Sequence, residues 1–394
     1  MNNSQSIKIL VPLILLANIS LFGQGNRQTS NAANAIEIEE PGRSSNTSEW
    51  YTNQKVLWDQ NRSTSIRDAN AWYNYYKAYR FSNYTSDSKV LSQKKLNELN
   101  RVVSEMEKTI PDSYEYNYIK YWNGNYNLSL FPYLQKAYEM EPDKVELYDD
   151  FIAYYELTGD LNKKKEFCQI WYKSNDIPEQ IFQYNYNVLM SLDKNAILIT
   201  NGSLDTYPIW ILQDIKNLRK DVTVIFIDLL PNKDYTNKMF SSLGIVAPSI
   251  QYTSSEKHKY LGDLVRLNPQ SPIYFGLTVE PSILKYFNNN LYITGLALKY
   301  SNIEINNIDI LHRNYVKKFE IAYLFSQDNP SIEGNDLAVI NKININYILP
   351  MLVLYEYYLE NGDQVNANEI KKNVLNLAKQ GNIEDQIKIY LDKF

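Results

Sequence analysis

Three acidic residues, Asp205, Asp228 and Glu280, each stand just past a short apolar run in the middle of a chain of 394 residues. The first follows Ala196–Thr200 through Asn201, Gly202 and Ser203, the second closes Val222–Ile227, and the third lies beyond Ile273–Leu277. Short, nearly continuous apolar runs rich in β-branched residues read as strands buried on both faces. In an open parallel sheet, ligands bind beyond the carboxyl ends of the strands, so the three carboxylates are expected on one rim. Converging carboxylates can act as an acid/base pair or hold a divalent cation through oxygen. Thr206 is expected to cap the next helix, whose free N–H groups favour an anion. The candidate ligand-binding set is therefore Asn201, Gly202, Ser203, Asp205, Thr206, Asp228 and Glu280. A plainer reading competes with it: Asp and Thr ahead of a helix are ordinary caps, worth ~1 kcal/mol.

Nothing in the sequence assigns a catalytic residue. G-x-S-x-G, G-x-x-x-x-G-K-[ST] and H-E-x-x-H are absent, and "NGS" lacks the further glycines of a dinucleotide site. His258 and His312 are too few and too far apart for a typical zinc site. No cofactor or metal is expected. Cys168 is the only cysteine, so an intramolecular disulfide is impossible, and its setting in "KKKEFCQIWYK" reads as a buried structural thiol. A net charge of −5 with no basic block argues against nucleic acid as a partner.

The elements that must position these residues follow from periodicity. A helix over Thr206–Leu218, closed by "KNLRKD", joins the first two strands into a βαβ unit. A short helix over Pro281–Phe287 and a β-like run over Leu291–Leu298 complete a small parallel-sheet α/β domain at 192–313. On either side the period becomes helical. In "AWYNYYKAYRF", Trp72, Tyr75, Tyr76 and Tyr79 mark one apolar face, expected as core with an aromatic ligand platform as the lesser reading. Stretches beginning at Gly124 and Gly159 repeat with a period near the ~34 residues of a tetratricopeptide unit. Ala137 stands before Pro142 as that pattern asks, whereas Lys173 occupies the equivalent place before Pro178. Leu352–Ala378, with Gly362-Asp363 and Ala367, reads as a further hairpin. Tetratricopeptide-like helices are thus expected over 49–191 and 314–394.

The first residues read as an export signal over 1–23. Lys8 supplies the positive start, Ile9–Phe22 the apolar stretch, and Gly23 and Gly25 the small residues for cleavage. That stretch is shorter than the ~20 residues of a membrane span, and Pro12 and Asn18 interrupt it. No cysteine follows it to carry a lipid. No later segment is expected to be long and apolar enough to cross a bilayer. Residues 24–48, polar and rich in Asn and Ser, are expected as a disordered leader.

The middle of the chain resembles a known family. "AILITNGSLDTYPIWILQDIKNLRKDVTVIFIDLL" is similar to the soluble C-terminal part of the Bacteroidetes protein O-mannosyltransferase-like membrane glycosyltransferases. That family has a strand leading to Gly-Asp-Asn-Asp-Thr-Phe-Pro, a helix with Trp and Gln, then Arg-x-Asp-Val and a second strand. Gly202, Asp205, Thr206, Pro208, Trp210, Gln213, Arg219, Asp221, Val222 and Leu230 match. "SPIYFGLTV" and "LYITGLALKY" resemble its later segments, so the likeness spans roughly Leu192–Tyr300. Ser203 and Leu204 replace the motif's first Asp and its Asn, and the polytopic membrane part expected to transfer sugar has no counterpart here. The resemblance therefore implies an accessory module of the envelope rather than a glycosyltransferase.

The fold class expected is α/β plus all-α. The function expected is that of a non-catalytic periplasmic or secreted scaffold, whose tetratricopeptide-like helices bind a protein partner of a cell-envelope machine for secretion, gliding or glycosylation. The alternative is carbohydrate or phosphate binding, or hydrolysis, at Asp205, Asp228 and Glu280.

Overall fold

The computed structural model describes residues 34–41, 43–44, 46–82, 91–249, 256–325 and 334–393. The expected signal at 1–23 and the start of the leader lie outside them. The described residues divide into two compact units, one within Asn26–Asp176 and one within Ile177–Phe394.

The first unit is helical among its described residues. It runs through α1 (Ser48–Thr64), α2 (Ala69–Phe81), α3 (Gln93–Thr109), α4 (Tyr114–Asn123), α5 (Phe131–Met140), α6 (Tyr148–Thr158) and α7 (Leu161–Ser174). Side-chain caps start many of them: Thr47, Asp68, Ser92, Ser113 and Asp160 each accept a backbone N–H of the first turn. Gly159, at φ +79°, ends α6 in the left-handed conformation and lets α7 fold back on it. The pairs α1/α2, α4/α5 and α6/α7 pack as hairpins. Trp72, Tyr75 and Tyr76 are buried core while Tyr79, the last of the stripe, is half-buried, and Cys168 is fully buried on α7.

Part of the expected disordered leader is ordered. Residues 34–41 lie against α1 and α2 without regular secondary structure, with Ile38 fully buried. The backbone of this strap is satisfied by side chains. Ile36 N–H donates to Gln54 at 2.8 Å, and Ile38 N–H donates to Asn74 at 2.8 Å. The carbonyls of Ile36 and Glu39 accept from the Trp58 indole and the Tyr51 hydroxyl. Arg43 then forms a two-pronged pair with Asp176. Such partners lie dozens of residues away, which is why local polarity alone suggested disorder.

The second unit opens with α8 (Glu179–Met190), the helix expected to close the second helical repeat, which packs instead on the α/β layer. There follow β1 (Ile197–Thr200), α9 (Ser203–Lys216), β2 (Thr223–Phe226), α10 (Lys233–Leu243), α11 (Lys257–Leu267), β3 (Ile273–Gly276), α12 (Pro281–Tyr286), β4 (Leu291–Ile293) and β5 (Ala297–Tyr300). The sheet order is β2-β1-β3-β5-β4. The three expected strands pair in parallel, and β5 and β4 add an antiparallel edge, so the sheet is mixed rather than wholly parallel. The apolar run at Leu291–Leu298 is two strands. Gly295, at φ +156°, turns the chain between them, where a side chain would strike Ser191 and Phe319.

Helices α13 (Asn307–Lys317), α14 (Gly334–Asn344), α15 (Ile348–Glu360), α16 (Gln364–Gln380) and α17 (Glu384–Leu391) complete the unit. The hairpin α15/α16 forms as expected, with Gly362 at φ +72° and Asp363 capping α16. One expectation is corrected here. Helices α14 and α15, joined by the 3-10 turn Ile345–Tyr347, make a run over Asp336–Glu360 long and apolar enough to cross a membrane by length and composition. Most of that run is buried inside the fold, the pattern of a core helix.

Candidate functional site

The sheet diverges from β1: one crossover leads to β2 on one side, the other to β3 on the opposite side. The switch point between β1 and β3 is where a crevice for ligands is expected. Asp205 sits there, 4% exposed, and it is not the residue before the helix but the third residue within it. The helix begins earlier than the sequence suggests, at Ser203, with Gly202 as its N-cap. The Asp205 carboxylate reaches back to the Gly202 N–H at 2.7 Å and the Asn201 N–H at 3.2 Å. This is the return half of a capping box, and the adjacent helix N-terminus favours its negative charge.

The same carboxylate accepts a hydrogen bond from the Thr278 hydroxyl, just past the end of β3. Asp205 thus ties the β1 loop to β3 across the switch point. A Cβ at Gly276 would crowd the Thr278 hydroxyl at 3.2 Å, so the glycine leaves that group room to reach Asp205. Thr206, expected as a cap, is fully buried and hydrogen-bonds Thr200 at 2.8 Å. Ser203 is exposed in the first helical turn.

Behind the corner, Pro208 lies inside α9 and has no N–H to give the carbonyl of Leu204. Asn185 of α8 supplies the missing donor at 2.8 Å. Arg219 and Asp221 anchor the far end of the βαβ unit. Their side chains pair at 2.9 Å through both prongs, and the guanidinium also donates to the carbonyls of Leu189 (2.7 Å), Leu192 (3.1 Å) and Asp193 (2.6 Å). Asp221 in turn accepts the Asn195 N–H at 2.9 Å. The Arg219 hydrogen bond holds the Asp221 carboxyl down at about 2. The matched Arg-x-Asp-Val positions therefore close the end of α8 onto the entry to β1.

Of the other two candidate acids, Asp228 is paired with another helix and Glu280 begins one through its backbone. Asp228, in the 3-10 turn after β2, forms an ion pair with Lys257 of α11 at 2.6 Å. Glu280 stands ahead of Pro281, and its carbonyl accepts the N–H groups of Ile283 and Leu284 in the first turn of α12. Among the described residues no group of three or more His, Cys, Asp or Glu side chains could hold a metal ion, so Asp205, Asp228 and Glu280 are not gathered as metal ligands. Sequence reading missed Thr278, Asn185 and Lys257. Only Thr278 carried a signal, as a hydroxyl just past the third strand.

Fold and corner together define an α/β module with a carboxylate-braced switch point, carried in a mostly helical chain. A family profile described as TMEM260-associated domain 2 matches residues 182–263, from within α8 into α11. That match fits the O-mannosyltransferase-like relationship that the corner residues suggest. Comparison with curated proteins gives no match.

Proposed function

We propose that this chain is an exported, non-catalytic adaptor of the bacterial cell envelope, related to the soluble module of the Bacteroidetes O-mannosyltransferase-like proteins. Its helical hairpins recruit a protein partner of a secretion, gliding or glycosylation machine, and its α/β module serves as a structural base. The observation that carries this reading is the use of Asp205. At the one place where the sheet topology favours a ligand, the carboxylate is occupied by Gly202, Asn201 and Thr278 of its own fold. The hairpins α4/α5 and α6/α7, which meet through Tyr138 against Phe151 and Phe167, are of the kind that presents side chains of successive helices to polypeptide partners.

The experiment is native extraction of the tagged full chain from the envelope fraction of the producing cell, with the mature N-terminus sequenced in the same preparation. A stoichiometric protein partner and cleavage near Gly23–Gly25 are expected. A clean monomer in repeated extractions would sink the adaptor reading. Binding of a sugar or phosphate that Asp205→Asn abolishes at unchanged melting temperature would support the strand-end ligand site instead.

A further inference from the structure

The face of α2 that sequence analysis singled out is loaded with cations, and they are neutralised unequally. Arg62 of α1 lies over the rings of Trp72 and Tyr75, at 4.5 and 4.2 Å from their centroids. It is balanced by Asp59 at 2.6 Å and by Glu105 at 3.4 Å. Two turns earlier on α1, Lys55 lies 4.5 Å from the Tyr79 centroid, and Lys95 of α3 approaches the same ring to 3.2 Å. Neither ammonium has a carboxylate or any other acceptor within hydrogen-bonding distance among the described residues.

Lys95 is 5% exposed, and a buried ammonium without a hydrogen-bond acceptor is costly. Its position on α3 deepens the imbalance. The first turn of that helix holds Gln93, Lys94 and Lys95 and no acidic residue. A helix N-terminus already carries a positive partial charge, so lysines belong at the other end. Arg101 adds a further cation near Tyr79, and Glu98, bonded to the Tyr79 hydroxyl at 2.7 Å, is the carboxylate that faces this cluster. Burial and the neighbouring Lys55 push the Lys95 amine down to about 8, which reflects the same unmet positive charge.

We infer that Lys55 and Lys95, with the first turn of α3, form an oxyanion-binding site that takes a phosphate or carboxylate group between the two ammoniums. The site has two contributions. Two lysines converge on one ring, the Lys95 ammonium buried with no hydrogen-bond acceptor among the described residues. The Gln93 and Lys94 N–H groups of a long helix are the second, the Lys95 backbone N–H being taken by Ser92. Charge-assisted contacts from ammonium groups and helix N–H donors are a recurring way to hold such groups. Nothing in the adaptor reading requires this site, and its failure would leave that reading untouched.

The test measures the rate at which an amine reagent labels Lys95 in the purified full chain, site by site by mass spectrometry, at constant ionic strength. Inorganic phosphate and acetate are the two probes. Saturable protection of Lys95 in the millimolar range is expected, while exposed Lys136 is labelled at an unchanged rate. Protection by phosphate alone or acetate alone assigns the class of anion. Lys55→Met should raise the half-protecting concentration about tenfold, the worth of one charge-assisted contact. Lys94→Gln, in an exposed position of the same turn, should weaken protection by a smaller factor and guards against a folding defect in the first variant. Labelling of Lys95 that neither anion slows, or protection unchanged in both variants, overturns the proposal.

Discussion

Asn185 donates its side-chain amide to the carbonyl of Leu204, the acceptor that Pro208 leaves without a helical partner. A proline at the sixth position of a helix removes one backbone bond, and here a neighbouring helix replaces it. Asn185→Ala should therefore cost about 1–3 kcal/mol, because the same amide also serves the Ile181 carbonyl and the site is buried. In a Pro208→Ala background the new N–H can bond Leu204 directly, so the cost of losing Asn185 should fall by about 1 kcal/mol. Urea unfolding of the four proteins closes the cycle. Strict additivity would show that the two residues are not coupled.

Asp205 gives the sharpest separation between brace and binding site. If its carboxylate holds the corner, Asp205→Asn replaces one acceptor oxygen by a donor that faces the Gly202 and Asn201 N–H groups or Thr278. The expected loss is about 1–3 kcal/mol, read as a lower melting temperature. Thr278→Val should remove part of the same stability, and the double variant should lose less than the sum of the two.

How much of this was legible in the sequence depends on how local each signal was. The strands β1, β2 and β3 could be read because each is a short apolar run bounded by polar turns, and the α15/α16 hairpin because Gly362-Asp363 marks its turn. The division of Leu291–Leu298 into β4 and β5 could not, since an apolar run shows no sign of the reversal that Gly295 permits. The start of α9 was misplaced because Gly202, which caps through its backbone, leaves no side-chain signature, while Asp205 caps from inside the helix. The ordered strap at 34–41 was missed because Gln54, Asn74 and Trp58 supply its hydrogen bonds from distant positions. The pairing of Asp228 was not legible for a related reason: a strand end fixes where a residue starts, whereas Lys257 reaches it from a helix 29 residues further on.

Arg219 should prove one of the more sensitive positions in the second unit. Its fork bonds three carbonyls and Asp221, a geometry that the point charge of lysine cannot reproduce. Arg219→Lys is expected to lose about 2–4 kcal/mol, nearly as much as Arg219→Ala. The pair also has a pH signature. Asp221 is lowered from 3.8 to about 2 by Arg219, so the stability it contributes is present above its unfolded value and is lost as pH falls from near 4 towards 2. Asp221→Asn should flatten that acid-side slope in unfolding measured across the range.

The first unit should respond to acid in the opposite sense. Asp149 and Asp150 stand side by side in the first turn of α6, where a helix N-terminus would favour their ionised forms. Burial outweighs that effect. It pushes Asp149 up to about 7, with Glu40 of the strap raising it further and Arg43 opposing. Burial and the Asp149 charge raise Asp150 as well, against Tyr118 and Arg80. A carboxyl whose folded value is raised contributes stability that is full below its unfolded value near 4 and is lost as pH rises through the folded value. Stability of this unit should therefore increase on mild acidification from neutral pH towards 5, where most proteins begin to lose it. Tryptophan fluorescence can follow it in the full chain, since Trp50, Trp58, Trp72, Trp122 and Trp171 lie in this unit and only Trp210 lies outside. Asp150→Asn removes a charge that the fold disfavours, so it should stabilise the unit at neutral pH by at least about 1 kcal/mol, one pKa unit being worth ~1.4 kcal/mol. It should also reduce the gain on acidification. A variant less stable than the parent at neutral pH would show that the ionised pair is held by contacts stronger than the burial that opposes it.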